Sequence, residues 1–228
     1  LIETNSIYIG NDPESTTNDA QRNAGVGVTS LPAITDGDDN TALGYYSGKS
    51  ISTGSKNIAL GSFSLYQSDT EINNLAIGYG ALGGAINGAD YNVAVGNLTL
   101  DANVNGDYNT ALGYAALSAS VNGNSSVAIG MFASFVQTGG QNTAIGTSAL
   151  YNNVAGIGNT ALGYAAGDVI TSGDNNTIIG WQADPSANNA ENQIVIGYNA
   201  VGIGDNQIAL GNTSITAIKG QTTFTTYS

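Results

Sequence analysis

Apolar and polar positions alternate along this chain in short bursts, separated by polar, glycine-bearing stretches. A typical burst is Asn109-Thr110-Ala111-Leu112-Gly113-Tyr114. It is short, β-branched and alternating, so it predicts a strand. Successive side chains of a strand point to opposite faces. Thr110, Leu112 and Tyr114 then share one face, and Asn109, Ala111 and Gly113 the other. Neither face is charged, so both are expected to be buried. The face of small side chains implies close approach of another backbone.

The burst recurs. Its closing glycines are Gly10, Gly27, Gly44, Gly61, Gly78, Gly96, Gly113, Gly130, Gly146, Gly163, Gly180, Gly197 and Gly211. Their spacing is 17 residues, apart from one step of 18, one of 16 and a last step of 14. The residue before each anchor is aliphatic, the one before that is usually Ala, and Tyr or Trp often follows. Each repeat also carries a second apolar pair, as in Ala81-Leu82, Ala116-Leu117 and Ala149-Leu150, followed by a polar turn with glycine. One repeat therefore predicts one coil with two short strands. Identical columns stack in register, which makes an all-β, parallel β-solenoid over residues 1–211 and an extended tail over 212–228.

Four residues before the anchor stand Asn23, Asn40, Asn57, Asn74, Asn92, Asn109, Asn142, Asn159 and Asn176. One reading is a turn residue that bonds its own backbone. The favoured reading is a buried ladder in which stacked amides bond from coil to coil, because an unpaired buried amide is costly. Only one strand of each coil is strongly apolar, and the strong aliphatic anchor comes once per coil. That asymmetry suits three chains around an axis, with Ala and Gly where backbones crowd.

Composition narrows the chemistry. The chain has 228 residues, no Cys, no His, 32 Gly and only 9 % charged residues. Without Cys and His there is no thiolate site, no disulfide and no Ser-His-Asp chemistry. No catalytic residue is assigned and no cofactor is expected. The net charge is −13, and no Lys or Arg lies between Lys56 and Lys219. Nucleic acid is a poor partner for such a chain, as is an anionic membrane surface. No apolar run is long enough to insert in a membrane. A chain that opens on Leu1 is expected to be a fragment or a processed product.

The densest acidic cluster, Asp36-Gly37-Asp38-Asp39-Asn40, invites a Ca²⁺ reading. It lacks the loop spacing of an EF-hand and the glycine-aspartate nonapeptide of calcium-binding β-rolls. Solvated acidic turns are the preferred reading, and no metal site is assigned. Tyr46, Tyr66, Tyr91, Tyr108 and Tyr151 lie outside the anchor column and are candidate surface-binding aromatics. The plainer reading is that they pack on the neighbouring coil.

Units such as Asn142-Thr143-Ala144-Ile145-Gly146 and Asn57-Ile58-Ala59-Leu60-Gly61 resemble the head repeats of trimeric autotransporter adhesins. The seventeen-residue version is similar to repeats in phage tail fibres. This resemblance, over about residues 6 to 211, implies a left-handed parallel β-roll wound as a homotrimer. Residues 219–228 resemble the segment that precedes the self-cleaving intramolecular chaperone of phage fibres, which implies processing at Ser228. The expected function is a non-enzymatic, extracellular fibre that forms a stiff rod and attaches to a cell-surface receptor or glycan. It would sit on a virion as a tail fibre. The alternatives are a bacterial cell-surface adhesin head, or a purely structural filament with no ligand.

Overall fold

A computed structural model describes residues 2–3, 6–10 and 19–217 of the chain, with side chains described at residue 7 and from residue 19 onward. The expectation for Ser228 and most of the extended tail lies outside the described residues. Among the described residues, fourteen strands follow one another in a single sheet, in chain order. They are β1 (Ile2–Glu3), β2 (Ser6–Gly10), β3 (Ala24–Gly27), β4 (Thr41–Leu43), β5 (Ile58–Leu60), β6 (Leu75–Ile77) and β7 (Val93–Val95). They continue as β8 (Thr110–Leu112), β9 (Val127–Ile129), β10 (Thr143–Ile145), β11 (Thr160–Leu162), β12 (Thr177–Ile179), β13 (Ile194–Ile196) and β14 (Ile208–Leu210).

From β2 onward every neighbouring pair is parallel and in register by column. Thr110 pairs with Val93 and Val127, Ala111 with Ala94 and Ala128, and Leu112 with Val95 and Ile129. Among the described strands, only β1 runs antiparallel, against β2. Each chain turn therefore adds one rung, and the architecture is a parallel β-solenoid with coils of about 17 residues. Twelve intervals of about 4.7–4.9 Å give a rod of roughly 55–60 Å.

Each coil has one short strand rather than two, of three residues from β4 onward. The second apolar pair sits in a run of turns, where Leu82, Leu100, Leu117 and Leu150 adopt φ of 47–52°. Those leucines are fully buried and form the interior. Their backbones still ladder to the next coil: Leu117 N–H donates to the Ala133 carbonyl at 3.1 Å and Leu150 N–H to Ala166 at 3.0 Å. The stacking is thus continued by turns that hydrogen-bond like strands without having strand dihedrals.

The two strand faces also differ from expectation. The Ala column points into the coil's own interior, against those leucines, and is buried from Ala42 through Ala161. The backbone that crowds the small face belongs to the same chain, not to a neighbour across an axis. The opposite face is open in the single chain: Leu43 is 50 % exposed, Leu112 47 % and Tyr114 47 %.

The anchor glycines explain themselves. From Gly27 through Gly197 their φ lies between 131° and 141°, a region that essentially only glycine occupies. A Cβ at Gly113 would also stand 2.7 Å from the carbonyl carbon and oxygen of Gly130 in the next coil. The register shifts are absorbed in the turns. In the 18-residue step, the carbonyl that the Asn column uses comes from Ala89 instead of Gly88.

Candidate functional site

Three surfaces carry side chains that could act: the interior amide column, the aromatic clusters along the turns, and the acidic turns.

Asn109 illustrates the amide column. Its backbone N–H donates to Asn92 Oδ1 at 2.9 Å. Its own Oδ1 accepts the Ser126 N–H of the next coil at 3.0 Å. Its Nδ2 donates to the Gly123 carbonyl at 2.7 Å, at the end of its own coil. Asn40, Asn57, Asn74, Asn92, Asn159 and Asn176 repeat this pattern. Asn23 and Asn142 make the same closing bond, to Gly37 at 2.7 Å and Gly156 at 2.8 Å. Direct amide-to-amide bonds occur at Asn40, Asn57 and Asn176. The column is therefore chiefly an amide-to-backbone brace. It closes each coil and ties it to the next, and all nine members are buried.

The column is interrupted at Ser126 and Gln193. At Ser126 the buried Gln137 fills in: its Nε2 donates to Ser126 Oγ at 2.8 Å, and Ser134 Oγ donates to its Oε1 at 2.5 Å. Glu71 is a second buried polar group that the period does not reveal. One of its oxygens accepts Ser68 Oγ and the backbone N–H groups of Asp69 and Thr70, and the other accepts Gly88 N–H. Four donors replace a counter-charge there. Both residues sit inside turns whose polarity looks ordinary in sequence.

All five candidate surface-binding tyrosines meet other rings. Tyr46 lies 4.2 Å from Tyr45, 5.7 Å from Phe63 and 5.8 Å from Tyr66, centroid to centroid. Lys49 Nζ donates to Tyr66 Oη at 2.9 Å and stands 5.0 Å and 4.6 Å from the Tyr46 and Tyr66 ring centres. That contact raises the Lys49 pKa, chiefly through the Tyr66 hydrogen bond. Tyr91 and Tyr108 stack at 5.1 Å on exposed turns. Tyr151 stacks on Phe135 at 5.3 Å. A further ladder, Tyr164, Trp181 and Tyr198, stacks at 5.7 and 5.1 Å along the column after the anchor. Phe63, Phe132 and Phe135 complete these clusters. They fall in variable positions where no single column flags them.

The acidic cluster is partly neutralised. Arg22 reaches Asp39 at 2.6 Å and Asp38 at 3.2 Å, and Asp38 also accepts the Gln21 N–H at 2.7 Å. The Arg22 hydrogen bond holds Asp39 below the usual carboxylate range. Among the described residues, no three His, Cys, Asp or Glu side chains are grouped so as to hold a metal ion. No described helix is long and apolar enough to cross a membrane. At the other end, burial and the neighbouring Asp168 push Asp184 up to about 6.

Comparison with known proteins finds no matching family model, no matching curated protein and no matching solved structure.

Proposed function

We propose that this chain is a stiff structural segment of an extracellular fibre, assembled from three copies around a common axis. A rigid all-β solenoid suits a structural role. One observation carries the assembly: the outer strand face is apolar and open from Val26, Leu43 and Ile58 through Leu112 and Leu162 to Ile196 and Leu210. Soluble monomers rarely expose contiguous apolar patches beyond a few hundred Å². The column before the anchor is aliphatic in every coil, and the neighbouring outward column holds aliphatic residues or Thr and no charge, which suits burial against identical columns of other copies.

The test is molar mass by light scattering on the chain and on a Leu112→Lys/Leu162→Lys variant. Both side chains point outward, so the charges should leave the coil intact. A trimer that the variant dissociates supports the reading. A monomeric parent protein would sink it.

Attachment to a receptor or glycan is the second reading, favoured by the exposed ring clusters at Tyr91–Tyr108 and Tyr164–Trp181–Tyr198. Whole-cell and glycan-array binding test it, and a clean negative in both leaves the ligand-free spacer. The resemblance of the repeats to phage tail fibres and to bacterial surface adhesins supports either a virion or a cell-surface setting.

A further inference from the structure

Within four successive coils of the turn face, one lacks side chains at two positions where its neighbours carry bulky ones. Two residues after the anchor, the chain places Tyr46, Phe63, Gly80 and Leu98 in successive coils. Five after it, it places Lys49, Tyr66, Gly83 and Asp101. The glycine coil is also the one with the 18-residue step, and it carries a further glycine at Gly84. The missing side chains leave a groove of about 270 Å³. Phe63 and Tyr79 border it on one side, their rings 5.7 Å apart at 73°, and Leu98 and Asp101 on the other. The floor is close-packed: a Cβ at Gly84 would stand 2.1 Å from the Asp101 carbonyl oxygen, and one at Gly83 2.9 Å from that of Phe63.

We propose that this groove binds an alkylammonium group, from a small organic cation or a lysine-like side chain, against the Phe63 and Tyr79 rings with Asp101 as counter-ion. Aromatic faces attract cations, and a cage of rings with a carboxylate is a recurrent way to hold a quaternary ammonium. The protein makes the same kind of contact internally two coils earlier, where the Lys49 ammonium sits over Tyr46 and over Tyr66 of the intervening coil. Where Gly80 and Gly83 remove the equivalent side chains, the partner must come from outside. The field favours a cation, since the net charge is −13 and no basic residue follows Lys56 until Lys219. Asp101 Oδ1 accepts Ser118 Oγ at 2.5 Å, so its other carboxylate oxygen is the one offered to the ligand; burial raises this carboxyl above the usual carboxylate range, which a bound ammonium would reverse.

Saturation-transfer NMR with choline chloride tests this, against its neutral isostere 3,3-dimethylbutanol and against methyl glucoside, at constant ionic strength. Choline methyl signals are expected, with none from the other two. Gly80→Phe should abolish them. Its φ of 64° matches Phe63 at 60° and Leu98 at 54°, and the nearest obstacle to its Cβ is the flexible Leu98 Cδ2 at 3.1 Å, so the coil should accept it. Asp101→Asn keeps the shape and should weaken binding roughly tenfold. Circular dichroism checks that both variants fold. No choline signal with folded protein, equal signals from the neutral isostere or the glucoside, or a signal unchanged in both variants would each overturn the proposal.

Discussion

At the scale of single residues, this fold depends on positions where side chain and backbone geometry are fixed together. Gly113→Ala combines an unfavourable φ of 132° with a Cβ 2.7 Å from the Gly130 carbonyl. Strained backbone alone costs about 1–3 kcal/mol, and the contact adds to it. Denaturant melts should show a loss at or above that range, whereas an exposed turn change should be nearly silent. The Asn column works by hydrogen bonds instead. Asn109→Ala leaves the Ser126 N–H and the Gly123 carbonyl without their side-chain partners in a buried column. At about 1–3 kcal/mol for each orphaned group, a loss of roughly 2–6 kcal/mol is expected in the same melts. A loss below 1 kcal/mol would mean that water reaches this column.

At the scale of one coil, the interior from Gly48 onward is filled largely by trading volume between neighbouring positions, whereas Leu31 and Ile34 are both large and buried. Gly48 accompanies Ile51 and Gly167 accompanies Ile170, whereas Leu65, Leu100, Leu117 and Leu150 accompany Ser68, Asn103, Ser120 and Asn153. The trade is physical: a Cβ at Gly167 would meet Leu150 Cδ2 at 3.1 Å and Ile170 Cδ1 at 3.4 Å. Of the polar members, Asn103 and Asn153 bond the turn at Gly106 and Gly156, but the buried Ser120 Oγ has no partner. Ser120→Ala removes an unsatisfied hydroxyl and should leave stability unchanged or raise it by up to about 1 kcal/mol. A clear drop in melting temperature would reveal a bound water at that hydroxyl. The period, the strand before each anchor and the columns were legible in the sequence, because stacking in register forces each position to repeat its chemistry. The turns were not. Tyr108, Ala115 and Leu117 all have φ of 51–58°, a region that disfavours side chains by roughly 1–2 kcal/mol. Propensity therefore points away from it, and the Ala–Leu pair read as a strand. Coil-to-coil hydrogen bonds over-determine these corners, and no single repeat displays that constraint. The groove at Gly80 was hidden for a related reason: it is the absence of a column, visible only when neighbouring coils are set side by side.

At the scale of the whole molecule, the charge is one-sided and the response to pH should be unusual. Asp184 is half-buried, its Oδ1 has no hydrogen-bond partner, and Asp168 stands nearby. Its carboxyl rises from the ordinary 3.8 to about 6, chiefly because burial penalises the charged form. Burial raises Asp101 and Asp168 as well. A carboxyl whose pKa is raised by folding binds more protons in the native state than in the unfolded chain. Its contribution to stability therefore grows as pH falls from above 6 toward 4. Asp39 and Asp205 act in the opposite sense, because hydrogen bonds from Arg22 and from Glu191 N–H hold them low. What they contribute is present above the ordinary value of 3.8 and is lost as pH falls through their own, lower pKa. The two groups together place the stability maximum at mildly acidic pH, and with a net charge of −13 protonation also relieves self-repulsion. Melting temperature should accordingly rise between pH 7.5 and pH 5 and turn down below about pH 4. Asp184→Asn keeps the shape and removes the titration, so its melting temperature at pH 7.5 should exceed that of the parent protein and its rise toward pH 5 should be smaller. Equal slopes in the two proteins would assign the whole pH response to net charge and leave Asp184 no part in it.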